Sequence, residues 1–155
     1  MEYQSYNINV FKIADYILCK SSLDIGDNIT NLKLQKLLYY CQGFVLAITG
    51  KTLFTDEILA WEHGPVVKVV YDKYKSFEGF GIKPNENLPN NYFDELNDTE
   101  IGEIIDNVWE VYGQYSAWKL RNMTHDEPPW RETPRNEAIS LSKMQSFFTT
   151  RLVDE

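Results

Sequence analysis

The sequence predicts a mainly α-helical fold with at most one small β-hairpin, forming one compact domain over residues 1–155. Apolar residues recur three and four positions apart along several stretches, which is the spacing of one face of an α-helix. Hydrophobic residues make up 43% of the 155 residues and aromatic residues 14%, which supports a buried core and argues against disorder. Between these stretches Gly, Pro, Asn and Asp are frequent, and they interrupt regular structure.

Two helices are predicted in the first third of the chain. The first covers about residues 7–20 and is broken by the Ser, Asp, Gly and Asn residues of segment 21–30. Its apolar positions are Phe11, Ala14, Ile17 and Leu18. The second begins at Thr30 or Asn31, either of which can accept a hydrogen bond from the first turn, and it ends at Gly50. Its broad apolar face contains Leu34, Leu37, Leu38, Cys41, Val45 and Ile48.

The middle of the chain is less regular. Residues 51–62 are predicted as a short strand or an irregular buried segment. Gly64 permits a turn and Pro65 suits the first turn of a helix, so a helix is predicted from Pro65 to about Phe77. Its inward positions are Val66, Val69, Val70 and Tyr74. Segment 78–91, with two prolines and several Asn and Gly residues, is predicted as a loop or a weak hairpin.

Three shorter helices are predicted in the last part of the chain. Asp98 or Thr99 caps the first, which ends near Gly113. Its inward positions are Ile101, Ile104, Ile105, Val108 and Val111. The second begins at Ser116 and runs to Met123, after which Pro128 and Pro129 are expected to force a turn. The third covers about residues 141–152 and carries Met144, Phe147 and Phe148.

The composition favours a cytoplasmic protein. No apolar run approaches the roughly 20 residues that a membrane span requires. The first residues, MEYQSYNINV, lack the positive cluster and apolar stretch of a secretory signal. Cys19 and Cys41 both lie in helical apolar patterns, where they are expected to act as small hydrophobic residues in a reducing compartment rather than as a disulfide framework.

The charge is concentrated in one segment. Between Pro84 and Glu110 there are eight acidic residues and no Lys or Arg, so this segment carries the whole formal net charge of −8. Because nucleic-acid binding depends on Lys and Arg that neutralise phosphates, direct binding of DNA or RNA is not expected. The acidic residues are interpreted either as a solvated surface or as a docking face for a basic partner. The residues assigned to that face are Glu95, Asp98, Glu103 and Asp106.

Catalytic patterns are weak throughout the sequence, and we expect no enzymatic activity and no cofactor or metal. His63 and His125 each lie beside acidic residues, so a metal-dependent hydrolase is an alternative, but the spacing of these residues matches no recognised ligand pattern. A Cys41 nucleophile is disfavoured because Cys41 faces inward on its helix. The GFG sequence at 79–81 lacks the remaining residues of a phosphate-binding loop.

Several polar and aromatic residues have both a structural and a functional interpretation. Thr124 and His125 are expected to satisfy backbone groups where a short helix ends, and Trp130 is expected to anchor packing. Gln35 is expected to pair with a backbone group if it is buried. The functional alternative is an exposed partner-binding surface, which aromatic residues with few charges would suit. The residues assigned to that surface are His63, Gly64, His125 and Trp130.

Three sequence blocks, in order, resemble the Panacea domain, a family also called SocA-like or GepA-like. The first block is LQKLLYYCQG, and its motif residues are Leu34, Gln35, Lys36, Leu37, Leu38 and Tyr39. The second is AWEHGPV, which contains Trp61, Gly64 and Pro65. The third runs from Ser116 to Trp130 and contains Thr124 and His125 in the TH-x-x-x-PW pattern. The resemblance extends from about Phe11 to about Phe148.

The resemblance implies an antitoxin that neutralises a cognate toxin protein encoded by an adjacent gene. The toxins of this family are varied and include translation inhibitors and relatives of alarmone synthetases. One branch acts instead as an adaptor that delivers its toxin to a ClpXP-type protease, which remains an alternative for this chain. Some members carry a DNA-binding segment, and we expect none in this chain, since its residues are needed for the domain itself and form no basic patch. We therefore expect no direct nucleic-acid or membrane partner, and self-association is left open.

Overall fold

The computed structural model describes residues 2–21 and 29–152, which form seven α-helices and one β-hairpin. The helices are α1 (Val10–Ser21), α2 (Asn31–Thr49), α3 (Lys68–Tyr74), α4 (Glu100–Tyr112), α5 (Ala117–His125), α6 (Pro128–Arg131) and α7 (Leu141–Thr149). The strands are β1 (Leu59–Trp61) and β2 (Gly64–Val66). The predicted mainly helical class with a small hairpin is confirmed. Most of the predicted break at 21–30 lies outside the described residues.

Helix α2 is the central element, and α1, α3, α4, α5, α7 and β2 all pack against it. Both predicted ends are confirmed: the Thr30 side chain accepts a hydrogen bond from the Lys33 amide, and Gly50 ends the helix with φ +77°. Leu34, Leu38 and Cys41 are fully buried in the core. Because neighbours surround the middle of the helix, polar positions such as Lys33 and Lys36 are buried as well as its apolar face.

The buried polar side chains of α2 tie it to three other parts of the chain. Lys33 Nζ donates a hydrogen bond to the Gly113 carbonyl at 2.7 Å, at the end of α4. Lys36 Nζ donates to the Pro65 carbonyl in β2 at 2.9 Å. The Gln42 amide donates to the Phe54 carbonyl and accepts from the Leu53 amide. These bonds satisfy polar groups that would otherwise be expensive to bury.

The helix predicted to start at Pro65 begins instead at Lys68, because Pro65 lies in β2 opposite Ala60. The amide and carbonyl of Ala60 face the other way, bonding to the Glu137 carbonyl and the Asn136 amide. The Ala60–Pro65 pair is therefore a position without hydrogen bonds across the hairpin, where the missing N–H of proline has no cost. Val66 is buried, as expected, but on a strand rather than a helix.

Three residues predicted to face inward are exposed. Ile48 is 45% exposed, Val69 45% and Val111 49%. Each lies on a helix whose other predicted positions are buried. Helical periodicity specifies which side chains share a face, but it does not specify how far along the helix the face is covered.

The later elements follow their predicted starts. Thr99 caps α4, Ser116 caps α5 and Ser140 caps α7 through side-chain hydrogen bonds to backbone amides. Pro128 and Pro129 were predicted to force a turn, but they begin the one-turn helix α6 instead, since proline needs no amide partner in a first turn. No helix within 2–21 or 29–152 is long and apolar enough to cross a membrane.

Candidate functional site

The β1–β2 turn, the end of α5 and helix α6 meet at one junction, which brings together His63, Gly64, His125 and Trp130. The indole Nε1 of Trp130 donates a hydrogen bond to the Trp61 carbonyl at 2.7 Å. Gly64 is buried beside Thr124, whose hydroxyl donates to the Arg121 carbonyl at 2.8 Å. The sequence blocks around Trp61, Gly64 and Thr124 are therefore in contact in space, and we call this region the motif junction.

A stack of three planar groups forms one side of the motif junction. The imidazole of His125 stacks on the indole of Trp130 with ring centroids 3.8 Å apart and planes 7° apart. The Arg135 guanidinium lies over the same indole at 3.7 Å. Two groups this close cannot occupy one face of the ring, so Trp130 lies between them. Cation–π attraction and the indole hydrogen bond together fix the orientation of Trp130.

The surroundings of His125 disfavour its positively charged form. Burial lowers the pKa of His125, and the positive charge of Arg121 lowers it further, while a hydrogen bond to the backbone of Glu62 opposes the change. Within the described residues, Nε2 of His125 is a buried nitrogen that lacks a hydrogen-bond partner. Disfavouring the charged form avoids a second positive charge beside Arg135, which stacks on the same indole.

His63 is the exposed member of the four residues. Its Nδ1 accepts a hydrogen bond from Arg121 Nε at 3.3 Å. The Arg121 guanidinium in turn lies over the ring of Trp118, 4.4 Å from its centroid. Trp118 is 56% exposed, which is unusual for so large an apolar side chain. Neither Trp118 nor Arg121 was identified as a site residue from the sequence. A single tryptophan among the polar residues of this helix could have indicated that Trp118 is exposed.

Lys36 lies beneath the turn and is fully buried. Burial lowers the pKa of Lys36 to about 7, and the nearby positive charge of Arg121 lowers it further. Its aliphatic stem approaches Gly64 closely: a Cβ on Gly64 would lie 2.6 Å from Lys36 Cε. The absence of a side chain at Gly64 thus makes room for Lys36 to reach the Pro65 carbonyl.

Gln35 pairs with backbone, as its sequence context predicts. Its Oε1 accepts a hydrogen bond from the Val67 amide at 2.9 Å, and its Nε2 donates to Asn31 Oδ1 at 2.9 Å. Gln35 and Lys36 together line a groove of 520 Å³ beside Trp61 and His63. The polar atoms of both side chains form hydrogen bonds within the protein. These hydrogen bonds hold α2 against β2 and the start of α3.

A second buried ionisable side chain, Glu127, joins α2 to the connection between α5 and α6. It was not identified as a site residue from the sequence. Its two carboxylate oxygens accept hydrogen bonds from the hydroxyls of Tyr39 at 2.9 Å and Tyr40 at 2.8 Å. Burial raises the pKa of Glu127 to about 7, and the two tyrosine hydrogen bonds oppose this change. Tyr40 also stacks on Tyr112 with centroids 4.1 Å apart.

The four acidic residues assigned to a docking face occupy different environments. Glu95 forms an ion pair with Lys12 of α1. Asp106 pairs with Lys20 at 2.6 Å and accepts a hydrogen bond from Tyr16 at 2.8 Å. Asp98 and Glu103 are exposed, and no lysine or arginine of the described residues pairs with them. Two of the four acids therefore serve contacts between α1 and the acidic segment.

The residues considered as metal ligands or as a nucleophile do not come together in one site. Among residues 2–21 and 29–152, no three His, Cys, Asp or Glu side chains lie together as metal ligands would. Cys41 is fully buried, and burial raises the pKa of its thiol, which disfavours the reactive thiolate. The motif junction is thus built from packing, stacking and backbone hydrogen bonds.

Comparison with known proteins connects this fold to antitoxins. A family profile described as "Antitoxin SocA-like, Panacea domain" matches residues 34–131, which extend from α2 to α6 and contain the motif junction. The chain is also 33% identical over 135 residues to Antitoxin SocA of Caulobacter vibrioides (strain NA1000 / CB15N), covering 80% of this chain and 69% of that protein. The chain belongs to the SocA-like antitoxin family with a Panacea domain. No solved structure gives a significant match.

Proposed function

We propose that this protein neutralises a cognate toxin, encoded by an adjacent gene, by binding it directly as a protein. The observation that carries the proposal is the match to Antitoxin SocA over 80% of the chain, together with the family profile across residues 34–131. The mechanism is stoichiometric: the bound antitoxin covers or locks the toxin, and no chemical step is performed on it.

The motif junction contributes to this function mainly as a rigid frame. Gly64 is buried, and His125 and Trp130 are held by stacking and hydrogen bonds, so these three residues act by positioning their neighbours. His63, in the β1–β2 turn, is exposed, and so is Trp118, which lies near it at the start of α5. Large aromatic side chains on a fixed frame are typical of binding surfaces. We assign direct contact with the partner to His63 and Trp118.

Co-expression is the first test of this proposal. Growth is measured in cells that express the adjacent gene alone, with the wild-type chain, and with the variant Trp118→Ala/His63→Ala. Toxicity that the wild-type chain removes, with a one-to-one complex on purification, supports neutralisation by binding. A harmless neighbour, or toxicity that persists with the wild-type chain, contradicts it.

A protease-deficient host separates neutralisation from the adaptor alternative. Direct neutralisation predicts full rescue in cells without the ClpXP-type protease and unchanged toxin levels. An adaptor predicts that rescue is lost in those cells and that toxin levels fall only when the protease is present. Toxin abundance on immunoblots, measured with and without the antitoxin in both hosts, distinguishes the two mechanisms.

A further inference from the structure

An apolar groove lies on the opposite half of α2 from the motif junction. It has a volume of 350 Å³ and is formed by the C-terminal half of α2, the outer face of α4 and the residues that follow α7. Phe44 and Ile48 line it from α2, Val108 and Val111 from α4, and Arg151 from the residues that follow α7. We call this region the α2–α4 groove.

Two of the exposed residues that were predicted to be buried meet in this groove. Ile48 is 45% exposed and Val111 49% exposed, whereas their helix neighbours Val45 and Val108 are buried. Both side chains continue the apolar faces of α2 and α4 beyond the core. A contiguous apolar surface of this kind is characteristic of a site that another protein covers.

The α4 side of the groove has an acidic rim. Asn107 lines the groove, and Glu103 and Glu110 lie four positions before and three positions after it, so all three share one side of the helix. Glu100 continues this row one turn earlier. These glutamates are exposed, and no lysine or arginine of the described residues forms an ion pair with them. Asp106, by contrast, faces α1 and pairs with Lys20.

The α4 wall of the groove is a helical ridge of apolar side chains. Ile104, Val108 and Val111 follow the i, i+4, i+7 spacing of one helical ridge, and α2 forms the facing wall. A helix that docks between two such walls presents apolar residues with the same spacing and polar residues at its edges. The acidic row on one edge favours Lys or Arg on the corresponding edge of the docked helix.

We propose that the α2–α4 groove binds an amphipathic helix of the toxin, with its apolar face against Ile48 and Val111 and a basic edge against Glu103 and Glu110. This inference rests on the proposed function and names the partner segment by its chemistry. A second copy of this chain is a poorer occupant on the α4 side, because α4 contains no Lys or Arg that could complement Glu103 and Glu110.

The test measures binding of the purified product of the adjacent gene. Ile48→Glu/Val111→Glu is expected to weaken its affinity by roughly 30-fold or more, because it places charge at the centre of the contact. Val69→Glu, at a 45% exposed valine outside the groove, is a single-substitution control and is expected to leave affinity within about twofold. The milder Ile48→Ala/Val111→Ala is expected to give a smaller loss, and thermal melting verifies that each variant is folded.

The rim is tested through association rates at several salt concentrations. Glu103→Lys/Glu110→Lys is expected to slow association by roughly tenfold at low salt and to reduce its salt dependence. Glu86→Lys/Asp94→Lys makes the same change in net charge within the acidic segment but outside the groove, and it is expected to have a smaller effect. Hydrogen exchange of the complex is expected to show protection in α4 and the end of α2.

The outcomes separate the two proposals. If the wild-type chain binds and neutralises the toxin but folded Ile48→Glu/Val111→Glu binds equally well, the groove assignment is wrong and the antitoxin function stands. The groove assignment is also wrong if sedimentation shows that the groove variant only disrupts a dimer of this chain. If the wild-type chain does not bind the neighbouring product, both proposals fail.

Discussion

Gly64 is the residue at which the motif junction is most sensitive to change. Its φ is +110°, a backbone conformation that residues with a side chain rarely adopt. A Cβ there would also lie 2.6 Å from Lys36 Cε and 2.9 Å from Thr124 Oγ1. Both the backbone and the surrounding side chains therefore require glycine, because the buried Lys36 passes directly beneath the turn.

The first prediction is that Gly64→Ala destabilises the protein by about 2–4 kcal/mol, through backbone strain and overlap with Lys36. Urea unfolding followed by circular dichroism measures this change. Gly79→Ala is the matched control, since no atom lies within 4 Å of the added Cβ and φ is not positive there. Equal stability of Gly64→Ala and the wild-type chain would show that the turn relaxes freely and that this account of Gly64 is wrong.

At the scale of the elements, α2 is held at one side by the buried Glu127 between α5 and α6. The tyrosine hydroxyls of α2 supply the two hydrogen bonds of this carboxyl group. Burial nevertheless raises its pKa from 4.5 to about 7 in the folded chain. Between these values the folded state binds more protons than the unfolded state, so stability decreases as the pH rises.

The second prediction concerns Glu127→Gln, which removes this titration while keeping the side-chain shape. The free energy of unfolding of the wild-type chain, relative to Glu127→Gln, is expected to fall by about 3 kcal/mol as the pH rises from 4.5 to 7. Urea unfolding at several pH values measures this difference. The exposed substitution Glu103→Gln serves as control and should follow the wild-type profile. If the stabilities of the wild-type chain and Glu127→Gln change in parallel with pH, the pKa of Glu127 is not raised in the folded state.

Lys36 affects stability with the opposite sign and at higher pH. Its pKa is lowered from 10.5 to about 7, so the unfolded state binds more protons than the folded state between these values. Its contribution to stability therefore increases as the pH rises from 7 towards 10.5. Because Lys36 is present in both chains compared above, this effect cancels in their difference.

At the scale of the whole molecule, the acidic segment divides into an internal part and an external part. Glu95 and Asp106 are paired with lysines of α1, whose side chains are 19% and 22% exposed. The glutamates at 100, 103 and 110 form an outward row on α4. The net charge of −8 thus comes from one segment that both joins α1 to α4 and creates a negative surface.

The third prediction follows from this division. Glu95→Gln/Asp106→Asn is expected to lower stability by up to about 2 kcal/mol, because two ion pairs are lost, and to leave association with the toxin unchanged. Glu103→Gln/Glu110→Gln is expected to leave stability unchanged and to slow association. Thermal melting and stopped-flow binding measure the two effects. Equal effects of both pairs on association would mean that the whole segment acts as one diffuse negative surface.

The fold could be predicted largely because its signals are local. Thr30, Thr99 and Ser116 lie at helix starts where their side chains accept amide hydrogen bonds, and a cap depends only on residues within one turn. The candidate site was predicted less completely. Gln35 was correctly expected to bond to backbone, whereas Trp118, Arg121 and Glu127 were not identified, since their contacts join residues distant in the sequence.

By itself, the sequence determined the helical periods, the caps and the family to which this chain belongs, since each is encoded in short runs of neighbouring residues. Only the tertiary structure decided which helical faces are covered. Lys36 is buried because β2 and α5 cover the first half of α2, and Ile48 and Val111 are exposed because no described element covers the groove between their helices. The partners of a buried group such as Glu127 lie 88 and 87 positions away, and a local pattern contains no information about such pairs.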